Sequence, residues 1–226
     1  MDWTAIGSIG TLLAVAAALF KKDLESLWRA PILKGRLQLG PPDSHKTFYS
    51  YGHGTQLPVF YIRLWVTNVG KTTADDVQVM AANLLRRDKS GGWEPESAFQ
   101  PMNLRWAHGD SQGGIVTILR RLPPGGIGRH CDVAHVYQNT SSLTQQHGPL
   151  PAVMELDLEV SPNTGGHFVT AGEHMLEVRI GAANAKTQSS WFFITFGGNW
   201  HDQESQMFGK ELRIDPSMPP STYQFP

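Results

Sequence analysis

Residues 59–67, VFYIRLWVT, alternate in character along their length: Phe60, Ile62, Leu64 and Val66 fall on one side of an extended chain, and Tyr61, Arg63, Trp65 and Thr67 on the other. A strand points successive side chains to opposite faces, so this period of two predicts a half-buried β-strand. Asn68-Val69-Gly70-Lys71 follows as a turn, and Asp76 to Leu85 reads as the next strand.

The pattern continues outward. Strand character begins at Ile32 and returns at Ile115 to Arg121, Arg129 to Tyr137, Val153 to Val160, His174 to Ala182 and Ser190 to Phe196. In the run 153–160, Met154, Leu156, Leu158 and Val160 are expected to point inward, and Glu155, Asp157 and Glu159 to face water. Pro123-Pro124-Gly125-Gly126 and Gly165-Gly166 separate these runs. About seven or eight short strands with no helix between them predict an all-β fold, an antiparallel sandwich, with a closed barrel as the alternative. The expected organisation is an anchor and basic juxtamembrane helix over 1–30, a β-sandwich domain over 31–198, and a C-terminal tail over 199–226. That tail would hold a short helix near WHDQESQMFGKELRI and an irregular proline-rich end.

The anchor is read from Trp3 to Phe20, WTAIGSIGTLLAVAAALF, which carries no charge. At about 1.5 Å per residue it would span roughly 27 Å, enough for a thin hydrocarbon core. A secretory signal needs positive charge before its apolar core. Here Lys21, Lys22, Arg29, Lys34 and Arg36 all come after it. Cytoplasmic flanks collect positive charge, so the expected topology is an uncleaved single-pass helix with the N-terminus outside and the β domain in the cytoplasm. Trp3 and Trp28 fit as interfacial residues, and Pro31 ends the juxtamembrane helix. Gly10, Ala14 and Ala18 recur every four residues, the small-residue spacing that lets membrane helices pack closely. Expected partners are therefore the lipid bilayer, a second copy through this helix face, and an unknown protein or small ligand.

A chain of 226 residues with formal net charge −1 offers no basic stripe, so no nucleic-acid partner is expected. The single cysteine, Cys131, can form no intrachain disulfide, which suits a reducing compartment.

YIRLWVTNVGKTTADDVQV (61–79) and GEHMLEVRIGAAN (172–184) resemble strands of the immunoglobulin-like, adhesion-type domains of bacterial proteins. The layout, with PPDSHKT at 41–47, PMNLRW at 101–106 and PPG at 123–125, is similar to a group of uncharacterised bacterial single-pass membrane proteins carrying such a domain. The resemblance implies fold and anchoring. It brings no activity, because function is carried by sites rather than by this fold.

No G-x-S-x-G, P-loop, dinucleotide fingerprint or H-E-x-x-H stands in the chain. RHCDVAH is the densest group of chemistry-bearing residues. On a regular strand His130 and Asp132 would share one face, Cys131 and His135 the other. His130 with Asp132 would need a third ligand such as His45 or His108 to hold a metal. No cofactor and no metal site is expected. The connection from Asp88 to Gly114 has little strand pattern and carries residue types common at interfaces. Trp93, Phe99, Arg105, Trp106 and His108 there, with His45 and Tyr49 of a second loop over 41–54, are the candidate ligand or partner surface. The alternative is that these aromatics fold down over an open end of the sandwich.

These readings combine into a membrane-anchored cytoplasmic interaction or sensing module without catalytic activity. An oligomerising, membrane-perturbing effector, as in antiviral defence, is the second reading. A metal-dependent enzyme using His130 and Asp132 is the third.

Overall fold

A computed structural model of the chain describes residues 29–51, 55–109, 114–139 and 151–220. The expected anchor, with Gly10, Ala14 and Ala18, lies outside them. Among the described residues no helix is long and apolar enough to cross a membrane.

Two antiparallel sheets make up the fold. In the first, β3 (Thr55–Asn68) is central, with β1 (Leu33–Leu37) and β2 (His45–Tyr51) sharing one of its sides. On its other side lies β9 (Arg129–Gln138), followed by β10 (Ala152–Leu156) and β11 (Phe168–Val169). The second sheet runs β14 (Leu212–Ser217), β13 (Ala185–Phe196), β12 (Gly172–Ala182), β4 (Ala74–Arg87). Three short strands complete its far edge against β4: β5 (Trp93–Pro95), β6 (Met102–Asn103) and β8 (Ile118–Leu122).

The sheets share one core, as the alternation on β3 requires. Phe60, Ile62, Leu64 and Val66 meet Val77, Val79 and Leu84 of β4 and Leu176, Val178 and Ile180 of β12. Each such fully buried side chain stabilises by about 1.5–3 kcal/mol. The layers approach closely at Gly35 of β1, where a Cβ would lie 2.7 Å from Ile180 Cδ1.

Several segments differ from expectation. The 41–54 stretch, expected as a loop, supplies β2; its register against Gln56–Tyr61 supplies the backbone partners that the pattern did not reveal. The connection after Asp88 is built of β5, β6 and β7 (Arg105–Trp106). It follows the edge of β4, then crosses at Leu104 to the first sheet, where Arg105 and Trp106 pair with Asp132 and Cys131. Pieces of two or three residues are too short to show a period.

The stretch after Asn199 is woven into the sandwich. A short helix α1 (Glu204–Gln206) and a π-turn at Met207–Glu211 lead into β14, which pairs with Trp191–Phe196. Met207, Leu212 and Ile214 join the core. Leu212 is fully buried, so Leu212→Ala is expected to lower unfolding free energy by about 2–5 kcal/mol in urea denaturation, whereas Met218→Ala, on an exposed side chain, should change it by under about 0.5 kcal/mol.

Candidate functional site

The site begins with one extra residue in β9. Ile62 faces Ala134 across the ladder, but Arg63 faces Asp132, so Val133 has no opposite number. Such a bulge breaks the alternation of a strand. Cys131 and Val133 enter the core, and so do Ala134 and Val136. His135 and Tyr137 consequently emerge on the outer face together with His130 and Asp132. The expectation that Cys131 and His135 share a face is corrected here: the bulge moves His135 to the opposite one.

The bulge also docks Asp157. The Asp157 amide donates to the Val133 carbonyl at 3.0 Å, and its own carbonyl accepts the Arg105 amide at 3.1 Å. Its carboxylate oxygens lie 3.1 and 3.2 Å from His135 Nδ1. His135 Nε2 faces Glu155 Oε2 at 3.8 Å, and Glu155 Oε1 lies 3.5 Å from His167 Nε2. The Tyr137 hydroxyl donates to Glu155 at 3.3 Å. Aromatic rings enclose the imidazole: Tyr49 lies parallel to it at 5.9 Å between centroids, Tyr61 at 5.7 Å and Tyr137 at 5.4 Å. Arg63 extends the row, its guanidinium 5.0 Å from the Tyr61 ring centre and its Nε donating to Asp132 at 2.7 Å.

Asp157 is therefore buried and Glu155 only partly exposed, rather than both standing on a wet face. They are drawn into a largely buried network, and Val160, expected inside, is exposed. Burial alone would lower the His135 pKa, but the Asp157 carboxylate, its hydrogen bond, and Glu155 and Asp132 beyond it outweigh burial and raise it. Burial opposes ionisation of Glu155 too, yet the His167 hydrogen bond and the nearby imidazole charges lower its pKa. Tyr61 is pushed far up by burial and then by Asp157 and Asp132, so its hydroxyl stays neutral. Burial raises Asp132, and Arg63 offsets this only in part. The Cys131 thiol, wholly buried on the core side, is also raised well above its usual range.

Beside this network opens a cleft of about 970 Å³. Tyr49, His135 and Glu155 line one wall, and Arg86 and Glu96 come from the edge of the second sheet. Residues 161–170 complete it. That segment is fastened to its neighbour by the Thr164 hydroxyl, which donates to the Ala98 carbonyl at 2.8 Å, and by Gly166. A Cβ at Gly166 would lie 2.0 Å from the Ala98 oxygen, so only glycine permits this approach.

The expected surface residues are distributed over separate places. Arg105 and Tyr49 line the cleft. Trp106 and His108 line a smaller hollow of about 330 Å³ with His130, and most of Trp106 is core. Phe99 packs partly buried against the same core. Trp93 stands against the second sheet, edge-on to Phe193 at 5.9 Å. His45 is lowered in pKa by burial and then by Arg63. His130 and Asp132 are engaged elsewhere, His130 Nε2 with Asp43 at 3.1 Å and Asp132 with Arg63. Among the described residues no cluster of three or more ligating side chains could hold a metal ion.

No family model matches the chain, and no curated protein matches it in sequence.

Because His135 binds its proton more tightly when folded, its contribution to stability is complete below the unfolded pKa of about 6.5 and is lost as pH rises through the higher folded value. Urea denaturation between about pH 6 and pH 9 should show wild type losing more stability than His135→Gln over that interval. Equal losses would contradict the pairing.

Proposed function

We propose that this chain is a membrane-tethered sensing module, an immunoglobulin-like sandwich held in the cytoplasm by an N-terminal helix, which binds a small ligand in the cleft beside His135. The observation that carries this reading is the cleft itself. Its volume lies at the upper end of the ordinary range for small-molecule sites, and it brings imidazole, guanidinium, phenol and carboxylate groups to one place. Binding is favoured over reaction because His135 Nδ1 is engaged by Asp157 at 3.1 Å and, among the described residues, no nucleophile is hydrogen-bonded to the imidazole. The apolar run Trp3–Phe20 and the basic residues behind it support the tether and its direction.

A thermal-shift screen of small metabolites tests the cleft. Ser161 is exposed at its lining, so Ser161→Trp narrows it without touching the core. Compounds that raise the Tm of wild type by several degrees should leave the variant unshifted; equal shifts in both proteins would contradict the assignment. For the tether, alkaline carbonate should leave the full chain in the membrane pellet and release a chain lacking residues 1–28. Release of both would refute it.

A further inference from the structure

We infer that the cleft recognises its ligand through an oxyanion, a carboxylate or a phosphate, received by the Arg105 guanidinium; this rests on the cleft being the binding site proposed above.

Arg105 differs from every other described arginine. Arg36, Arg63, Arg86, Arg179 and Arg213 each have a carboxylate oxygen within 2.9 Å. Arg87 is paired with Glu173, and Arg121 reaches Asp75 at 3.9 Å. Arg29, Arg120 and Arg129 have no such partner among the described residues, but they are exposed and water serves them. Arg105 is partly buried, has no carboxylate within 4.0 Å among the described residues, and its Nε is buried without an acceptor. Burying a guanidinium N–H without an acceptor is unfavourable.

Asp132 and Asp157 are at hand but committed elsewhere, and Glu96, which also lines the cleft, makes no salt bridge with Arg105. Arg105 stands opposite Asp132 in the ladder, and Asp132 is held by Arg63 at 2.7 Å. Its amide bonds the Asp157 carbonyl, but the Asp157 carboxylate is held by His135 at 3.1 Å. Among the described residues no carboxylate supplies the counter-charge, and Arg105 lines the cleft through which an anion would arrive. A guanidinium presents parallel N–H donors in a planar fork that fits two oxygens of a carboxylate or phosphate, so both ligand sources share one chemistry. The pairing of His135 with Asp157 at 3.1 Å, which raises the proton affinity of the imidazole, sets a cationic group rather than a bare carboxylate on this side of the cleft when the ring is protonated.

The test follows the arginine Nε–H resonances of the full chain in detergent micelles by NMR, with inorganic phosphate, acetate and neutral glycerol as probes. Phosphate or acetate should shift the Arg105 signal saturably, and glycerol should not. Arg105→Gln should weaken the anion's apparent Kd at least about tenfold, Arg105→Lys should fall between, and Arg120→Gln should leave it unchanged. If Arg105→Gln fails to fold, loss of affinity in Arg105→Lys decides the matter. Shifts confined to exposed arginines would overturn the inference. Neutral compounds that bind the cleft equally well in wild type and Arg105→Gln, with no anion binding, would overturn it while leaving the cleft as a site. No compound of either kind in the cleft would overturn both.

Discussion

One unpaired residue in a strand governs this molecule's chemistry. Without Val133 as an extra residue in β9, the alternation that starts at Cys131 would carry His135 into the core and Ala134 out of it. With it, two consecutive small apolar residues are buried and the following histidine and tyrosine appear on the outer face. The same carbonyl that the bulge displaces becomes the acceptor for Asp157, so a local irregularity fixes both partners of the central ion pair. Bulges commonly re-aim side chains in this way beside functional sites.

The rest of the site depends on that placement. His135 counters Asp157 and lies within reach of Glu155, and Arg63 counters Asp132. Each carboxylate on this face that finds a cation makes burial of the face tolerable. Among the described residues Arg105 is left out of this pairing, which is what the proposed anion in the cleft would answer.

Much of the fold is legible in the sequence because β3, β4, β12 and β13 are long enough to display a period of two. The inward set Phe60, Ile62, Leu64 and Val66 and the buried Met154, Leu156 and Leu158 agree with the alternation. The site was legible only in fragments. Arg105 and Tyr49 stood out by residue type, but periodicity placed His135 on the wrong face, because a bulge leaves no mark in a single sequence. Glu155 and Asp157 read as solvent-facing because acidic residues alternating with apolar ones describe a wet strand unless a buried cation faces them. His167 lies in a glycine-rich turn where no pattern exists, and its role comes from the proximity of Glu155. Residues 212–214 fell in the stretch expected to hold a short helix and 215–217 in the irregular proline-rich end, because Asp215 and Pro216 disfavour strands, yet the edge beside β13 accommodates all six.

The most direct test is the register of β3 against β9, measured from cross-strand backbone proton contacts by NMR. The account predicts Ile62 opposite Ala134 and Arg63 opposite Asp132, with Val133 facing no residue. An unbroken ladder, with Arg63 opposite Val133 and Leu64 opposite Asp132, would contradict it and remove the basis for the site.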